Sequence, residues 1–431
     1  MRKLFAILLI AALALPAAAK TQLIRCYLTR ELHESVPWGA LDVAGWVPGV
    51  AADVLIEESE RGLLYGYGLA RQEVLIDDVD ASWRAFWEEQ ANIPDGYHSY
   101  AEMLAMMQNL AAEYPDICEL HNLSEETGVG PTYDGYYLWG LKISADVATD
   151  DPAKPDVMLN GLHHAREITT HEVVYRFAEY LCWHYGFDEK VTRIVDGREV
   201  WLVPMVNPDG YEYVRTVYYN WRKNRRDNGG GVYGVDLNRN YTYKWGYDDY
   251  GSSPNPSSDT YRGPSPGSEP ENQVMMQFYA ARSDSGNPVT AAINFHTYSQ
   301  LVLYPWGYID DVTEHNYIYA PMAELFAGYN GYTPQPSHML YNTNGDATDW
   351  QYGSHLDDGD GLLAEPQFGF TFEMGTQFQP PYSEVDVQFE ENLGAMLDLC
   401  LLAGDPEMIC PLPAPVIDPM DSDCLLYTSD A

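Results

Sequence analysis

Basic side chains are scarce in this sequence, with 24 lysines and arginines against 64 aspartates and glutamates. Arg2 and Lys3 lie in an N-terminal stretch that we expect to be removed, which leaves 22 basic side chains and a formal charge of −42. A surface of this charge repels phosphate groups, so nucleic acids and anionic membranes are poor partners. The apolar fraction is ordinary, and we expect a packed core beneath an acidic surface.

Long apolar runs are absent beyond the first residues. The run over residues 4–15 follows two basic residues and precedes Pro16 and three alanines, a pattern typical of a secretory signal peptide. A membrane-spanning helix needs about 20 apolar residues, and no later segment is that long. No cysteine directly follows Ala19, so a lipid anchor is not indicated. We therefore predict a signal peptide over residues 1–19 and a secreted product, extracellular or periplasmic.

Cysteines are few, and their spacing matches neither a zinc ribbon nor a redox motif. An exported chain could form disulfides, but six cysteines allow many connectivities and the sequence does not give the pairing. Buried thiols with one or two bridges are the simplest interpretation. The six are Cys26, Cys118, Cys182, Cys400, Cys410 and Cys424.

The first part of the mature chain is predicted to be a small α+β segment over residues 20–94. Strand-like runs occur at 23–28 and 54–57, and a helical pattern follows at 79–90. The segment ends in the turn-forming stretch 92–96, which makes it separable from the rest of the chain.

Residues 95–404 alternate apolar strands with helices. The strands are expected at 157–159, 199–206 and 291–295. This alternation predicts an α/β domain with a mixed, mostly parallel central sheet that is flanked by helices and buried on both faces. The proline-rich residues 405–431 carry no readable structure and could be a tail or the start of a further domain.

Two helices have starts encoded in the sequence. Ser99 is followed three residues later by Glu102, and Ser268 by Glu271. In a capping box of this kind the serine and the glutamate each satisfy a backbone N–H at the start of the helix. Pro115 predicts where the first of these helices ends.

Residues 227–267 form a long stretch rich in Gly, Pro, Ser, Tyr and Asp. Loops of this length in a compact domain are usually functional or stabilised by a ligand. Asp248 and Asp249 could hold a structural calcium ion. The alternative is a solvated acidic loop, and the sequence leaves both open.

The segment from Asn160 to Glu167 places two types of metal ligand three residues apart. If the strand ends there and a helix begins, His164 and Glu167 share one face of the first helical turn and can bind one ion. His163 would then point elsewhere. Alone, the pattern also fits an N-terminal helix charge beside a surface histidine.

A third ligand is available in His296, at the end of the predicted strand 291–295. Open α/β sheets place ligand-binding residues at such strand ends. Together with His164 and Glu167 it forms a set of two histidines and one carboxylate, which leaves a fourth position on zinc open for water.

With these residues the sequence resembles the zinc metallocarboxypeptidases of the carboxypeptidase A/B family, and most of all their bacterial carboxypeptidase T branch. Carboxypeptidase A is known to bind one Zn²⁺ through this ligand set, so the choice of zinc rests on the resemblance. The resemblance covers residues 97–404 and involves separate motifs in the same order. They are His164-Ala165-Arg166-Glu167, Asn207-Pro208-Asp209-Gly210, Trp221-Arg222-Lys223, Asp236-Leu237-Asn238-Arg239-Asn240, Phe295-His296-Thr297-Tyr298-Ser299, Asp349-Trp350 and Phe370-Thr371-Phe372-Glu373.

The resemblance implies three roles in catalysis. Glu373 would be the general base that takes a proton from a zinc-activated water and gives it to the leaving amine. Arg222 would stabilise the oxyanion, and Asp236 would orient His164 through its second ring nitrogen. Considered singly, Arg222 could also belong to a solvated basic cluster over residues 222–226.

The resemblance also implies how substrate is bound. Asn238 and Arg239 would hold the C-terminal carboxylate, which a planar guanidinium can bind through two hydrogen bonds. Arg166 would contact substrate beyond the terminal residue, and Tyr298 stands at a substrate-contacting position. Tyr341 matches a mobile tyrosine that covers the terminal residue.

Specificity depends on the residues just before Asp349. Thr348 stands where the hydrophobic-specific members have an aliphatic residue and the basic-specific members an aspartate. Asp346 stands two positions earlier, as in carboxypeptidase T. We expect a pocket that accepts apolar residues and, through Asp346, lysine or arginine.

The resulting hypothesis is a secreted, monomeric carboxypeptidase that acts on peptides or proteins with a free C-terminus. Residues 20–94 would be a pro-segment that covers the active site until proteolysis, or else an accessory domain. Two alternatives are a cell-wall peptide hydrolase on the same fold and a catalytically silent binding module. Asn238, Arg239 and Tyr341 favour the exopeptidase, and Glu373 with all three ligands argues against the silent module.

Overall fold

The computed structural model describes residues 20–90, 96–356 and 358–409. The predicted signal peptide, most of the predicted linker and the tail beyond residue 409 lie outside the described residues. No helix in the described part of the chain is long and apolar enough to cross a membrane.

Residues 20–90 form a four-stranded antiparallel sheet with strand order β2-β3-β1-β4 and three helices. The predicted strands and the helix at 79–90 are all present. Buried Ile24, Trp46 and Val54 form the core of this segment. The elements are β1 (Thr21–Tyr27), α1 (Arg30–Ser35), β2 (Asp42–Val47), β3 (Ala51–Glu57), α2 (Gly62–Gly66), β4 (Gln72–Ile76) and α3 (Val79–Gln90).

The larger part of the chain is built on an eight-stranded mixed sheet with the order β11-β10-β12-β9-β7-β8-β6-β5. Its strands are β5 (Cys118–Asn122), β6 (Trp139–Ile143), β7 (Asp156–Asn160), β8 (Glu199–Val203), β9 (Val289–Thr297), β10 (Leu301–Tyr304), β11 (Thr333–Pro336) and β12 (Phe368–Met374). Its helices are α4 (Tyr100–Glu113), α5 (Leu123–Glu126), α6 (Thr170–His184), α7 (Glu189–Gly197), α8 (Pro208–Thr216), α9 (Pro270–Asp284), α10 (Asn316–Asn330), α11 (Ala347–Gly353) and α12 (Ser383–Leu402). The predicted α/β architecture is confirmed.

The four central strands, β12, β9, β7 and β8, run parallel to one another. Every residue of β7 and β8 is buried, as expected for strands covered by helices on both faces. Their carboxyl ends therefore meet along one edge of the sheet, and the residues that follow β7 and end β9 and β12 are brought together there.

The predicted helix starts have different outcomes. Ser99 caps α4 and forms the complete capping box with Glu102. The cap predicted at Ser268 is wrong, because the N-cap of α9 is Glu269 and Pro270 occupies its first turn. The Ser268 hydroxyl instead donates to the Glu269 carboxylate at 2.6 Å.

Candidate active site

Three side chains with metal-binding groups converge where β7 and β9 end. Nδ1 of His164 lies 3.1 Å from Nδ1 of His296. The two carboxylate oxygens of Glu167 lie 2.7 Å from the His164 nitrogen and 3.0 Å from the His296 nitrogen. All three residues are buried, and within the described residues they form the one cluster of three whose candidate ligand atoms lie within 4.8 Å of one another.

A turn, and not a helix, brings His164 and Glu167 together. The prediction that they share a first helical turn is wrong, because α6 begins only at Thr170. Leu162 adopts a φ of 61°, a left-handed conformation that is uncommon for a residue with a side chain. Hydrogen bonds from its N–H to the Thr170 hydroxyl and from the Asn207 N–H to its carbonyl hold that conformation.

Asp236 joins this cluster to Arg222. One of its carboxylate oxygens lies 3.1 Å from Nε2 of His164, and the other accepts hydrogen bonds from Nε and Nη2 of Arg222 at 3.1 and 2.9 Å. Burial alone would raise the pKa of Asp236, but Arg222 and His164 hold it well below its ordinary value. Arg222 is itself buried, so the solvated-cluster interpretation is wrong for this arginine.

The donor set fits a divalent cation. His164 faces a carboxylate with each of its ring nitrogens, Glu167 at 2.7 Å from Nδ1 and Asp236 at 3.1 Å from Nε2. A neutral imidazole has a single N–H and can donate to only one of them, so a cation or a second proton is needed at the other nitrogen. Burial would raise the pKa of Glu167, but His164 and His296 lower it, so the carboxylate is ionised. Two histidines and one carboxylate are a usual zinc set.

Glu373 lies on β12 directly beside His296 in the register of the sheet. It is partly exposed and lines a cavity that also contains His164 and Glu167. Burial and the charge of Glu167 raise the pKa of Glu373 to about 8, against the opposing influence of nearby arginines. The side chain is therefore placed to exchange protons near neutral pH.

Asn238 and Arg239 line the same cavity, in a short 3-10 helix whose N-cap is Asp236. Nη1 of Arg239 donates to the Asn238 carbonyl at 2.6 Å, whereas its Nε–H is buried without a hydrogen-bond partner. A buried, unpaired guanidinium donor indicates a ligand that is itself an acceptor, such as a carboxylate.

Comparison with known proteins agrees with this geometry. Residues 103–395 match the family described as zinc carboxypeptidase. The chain belongs to this family. A zinc carboxypeptidase of Saccharothrix mutabilis subsp. capreolus is 30% identical over 373 residues, covering 82% of this chain and 81% of that protein.

Other comparisons point the same way. A metallocarboxypeptidase A-like protein of Trichophyton verrucosum is 34% identical over 265 residues, and this match covers 59% of each chain. The solved carboxypeptidase A of Helicoverpa armigera superposes with a TM-score of 0.74 at 22% identity, over 90% of this chain and 98% of that one, which shows the shared fold. The protein is thus placed among the metallocarboxypeptidases, a class of hydrolases.

Two of the predicted specificity residues take different positions in this carboxypeptidase. Asp346 lines the cavity, but its carboxylate also caps α11 through the Asp349 N–H and accepts from the Thr343 hydroxyl at 2.7 Å. Thr348 lies one layer below the cavity, with its hydroxyl 2.7 Å from that of Thr371. The cavity wall is therefore formed by Thr371, and Thr348 can act only through it.

Arg166 faces the N-terminal segment. Its guanidinium makes a two-pronged ion pair with Asp42 of β2, with one contact of 2.8 Å. It also donates to the Asn220 side chain at 3.1 Å and lies 4.4 Å from the centre of the Phe378 ring. A residue that the resemblance assigns to substrate is therefore engaged by residues 20–90.

Strand β2 contributes to the wall of the cavity. Val43, Ala44 and Gly45 line the cavity together with Tyr341. A Cβ on Gly45 would lie 2.2 Å from the ring of Tyr298, so only glycine permits this approach.

Tyr298 is also tied to the N-terminal segment by hydrogen bonding. Its hydroxyl donates to the Asp53 carboxylate at 3.1 Å, and that carboxylate pairs with Arg25 at 2.7 Å. Arg166 and Tyr298, both predicted to contact substrate, are thus held by acidic groups of residues 20–90.

Four residues at or beside the site were not predicted from the sequence: Thr343, Thr371 and Phe378, which line the cavity, and Asp42, which pairs with Arg166. No local pattern marks Asp42, because its partner Arg166 is 124 positions away. Thr371 stands two residues before Glu373 on a strand whose side chains alternate, so it shares the face of Glu373. That periodicity was a usable signal.

The acidic residues considered for calcium bind protein groups. Asp248 accepts hydrogen bonds from the backbone of Tyr250 and Gly251 and from the Asn344 side chain. Asp249 pairs with Arg262 at 2.8 Å. A calcium ion at this loop stays a prediction.

Proposed function

We propose that this chain is a secreted, monomeric zinc carboxypeptidase that removes single C-terminal residues from peptides and proteins. One observation carries the proposal: the cluster of His164, Glu167 and His296 shares one cavity with Arg239, whose Nε–H has no partner. A reactive centre beside a carboxylate-binding group selects the last peptide bond of a chain.

The protein residues divide the work between binding and proton transfer. Bound zinc would supply a Lewis acid that polarises the scissile carbonyl and lowers the pKa of water. Asn238 and Arg239 fix the terminal carboxylate, and Arg222 donates to the oxygen on which negative charge develops. Glu373 accepts the proton of the attacking water and passes it to the departing amine.

The test compares an N-blocked dipeptide with the same dipeptide carrying a C-terminal amide. The free acid should be cleaved and the amide almost untouched, because Arg239 has no carboxylate to pair with in the amide. Removal of zinc with a chelator should abolish cleavage, and added zinc should restore it. Equal cleavage of acid and amide would contradict exopeptidase action.

We further propose that the pocket accepts apolar residues and, through Asp346, lysine and arginine. Asp346→Asn removes the charge but keeps a good helix cap, because asparagine and aspartate cap about equally well. The kcat/KM for substrates ending in Arg or Lys should fall at least about tenfold, while that for Phe and Leu stays unchanged. A parallel loss for all four substrates would mean that Asp346 is only structural.

We also propose that residues 20–94 are a pro-segment that keeps the enzyme latent, with the catalytic domain over residues 95–404. The contacts that support this are the ion pair of Asp42 with Arg166, the bond of Tyr298 to Asp53, and the approach of Gly45 to the Tyr298 ring. Each of these contacts involves Arg166 or Tyr298, the two residues that we propose contact substrate.

A further inference from the structure

His163 stands next to a proposed zinc ligand but is turned away from the cluster. It is fully buried, and its Nε2 lies 2.8 Å from the hydroxyl of Tyr241. Its ring stacks on that of His296, with centroids 5.5 Å apart and planes at 18°. The two adjacent histidines thus have different neighbours, Tyr241 for His163 and Glu167 for His164.

The stacking restricts the orientation of His296. His296 contacts two other rings, stacked His163 and tilted His164 at 4.7 Å. A buried ring packed against two others has few rotamers available. The stacking therefore restricts the plane of the His296 ring, and the contact of its Nδ1 with Glu167 at 3.0 Å sets which edge faces the cluster.

The hydrogen bond of His163 links it to Tyr241, which lies next to the Asn238–Arg239 segment. Tyr241 follows Asn238 by three residues and Arg239 by two, and its backbone N–H donates to the Gly345 carbonyl at 2.9 Å. Its ring packs on Trp350 at 5.6 Å, and Tyr241 is itself buried. One side chain, His163, therefore touches both a proposed zinc ligand and the loop that would read the terminal carboxylate.

We propose that His163 is a positioning residue that orients His296 through ring stacking and fixes the Asn238–Arg239 loop through Tyr241. This inference rests on the proposed zinc site. The ring and the hydrogen bond have separate tasks: the ring maintains metal affinity, and the bond maintains the affinity for a free C-terminus. His163 itself neither binds the metal nor touches substrate.

Two substitutions separate the tasks. His163→Ala removes both the stacked ring and the hydrogen bond to Tyr241. Its dissociation constant for zinc should rise about 10- to 100-fold, the usual effect of losing a residue that supports a metal ligand. Competition with a chelating dye measures this constant. His163→Phe keeps a stacked ring, so its zinc affinity should stay within about threefold of wild type while its KM for the free-acid dipeptide rises. Tyr241→Phe should raise KM by the same factor as His163→Phe, and the double variant should show no further rise.

The matched control is His171→Ala. His171 is also fully buried, packs its ring on Tyr211 at 4.6 Å and touches none of the proposed ligands, so its loss should lower the melting temperature without changing the zinc constant.

Several outcomes would overturn the inference. The first is a folded His163→Ala variant that binds zinc as tightly as wild type. The second is a double variant in which the KM effects of His163→Phe and Tyr241→Phe add. If His163→Ala does not fold, a zinc constant in His163→Phe that rises tenfold or more contradicts the stacking role. Failure of the wild-type chain to bind zinc overturns the proposed function as well, whereas normal wild-type binding with an unaffected His163→Ala overturns this inference alone.

Discussion

Two acidic residues of the site, Asp236 and Glu373, have opposite electrostatic surroundings. Asp236 is ionised because Arg222 and His164 outweigh its burial, and it can therefore orient both. At Glu373, by contrast, burial and the charge of Glu167 prevail and raise its pKa to about 8. This separation of two pKa values favours a fixed charge at Asp236 and supports the proton transfer that we propose for Glu373.

At the same scale, Glu373→Gln tests the general base. The amide keeps the shape but cannot accept the proton, so kcat/KM should fall by about 10²- to 10⁴-fold. The zinc constant should stay unchanged, because Glu373 is not among the clustered ligands. Activity within tenfold of wild type would assign the base to another group.

Among the elements, the turn before α11 is bonded to the Asn238–Arg239 segment, which we propose binds the terminal carboxylate. Gly345 has a φ of 70°, and its carbonyl binds the backbone of Tyr241. The side chain of Asn238 accepts from the first N–H of α11, at Ala347. The start of α11 and the Asn238–Arg239 segment are therefore tied to each other by hydrogen bonds.

Gly345→Ala should disturb binding more than chemistry. A Cβ there would lie 2.7 Å from the Arg239 carbonyl and would also be strained, at a cost of about 1–3 kcal/mol. We expect a higher KM for free-acid substrates, an unchanged zinc constant and a lower melting temperature.

Gly331→Ala is the matched control, because Gly331 has a φ of 73° but open space around it. It should show the loss of stability without the change in KM. An equal rise in KM in both variants would mean that backbone strain alone, and not the displacement of Arg239, is responsible.

At the scale of the whole molecule, charged side chains join the N-terminal segment to the catalytic domain. Cleavage of the linker between them would leave these ion pairs in place. Asp42 is 11% exposed and pairs with the fully buried Arg166, and Asp259 lies beside it. Burial alone would raise the pKa of Asp42, but Arg166 lowers it, so this ion pair is intact across neutral pH. Release of the segment must therefore break a buried pair.

Asp42→Asn should weaken latency. Uncut full-length wild type should cleave substrate more slowly than a chain starting near residue 94, and the variant should recover at least part of that difference, because a buried Arg166 loses its counter-charge. Asp77→Asn is the control, since Asp77 pairs with Lys20 on the exposed side of the segment. Full-length wild type as active as the truncated chain would refute latency.

Latency should also depend on pH through Asp259. Burial and the neighbouring Asp42 raise the pKa of Asp259 to about 6, while Arg166, Lys223 and Arg222 oppose the rise. The form in which residues 20–90 remain bound to the catalytic domain therefore holds one extra proton between about pH 4 and pH 6. Raising the pH through that window weakens the binding of the segment by up to about tenfold per pH unit.

The measurement is the activity of linker-cleaved protein at fixed concentration, relative to enzyme freed of the segment. The relative activity should rise from pH 4 to pH 6 and level off above. Asp259→Asn should remove this dependence, and a wild-type profile in that variant would rule out Asp259 as its source.

Much of the fold was accessible from local pattern. The strand before the zinc motif, the capped start of α4 and the α/β class follow from periodicity and capping, which act over a few residues. The strand predicted at 199–206 ends at Val203, and the N-cap predicted at Ser268 is Glu269 in the structure. The ends of strands and helices depend on neighbours that are distant in sequence.

Local motifs were enough to predict which side chains would do the chemistry, since His164, Glu167, His296 and Glu373 each stand in a motif with its own signal. The surroundings of these side chains depend instead on how distant parts of the chain pack. His163 contacts Tyr241, Thr348 lies beneath Thr371, and Asp42 reaches Arg166 from 124 positions away. Long-range packing and the register of strands set these contacts, and no window of local sequence encodes either.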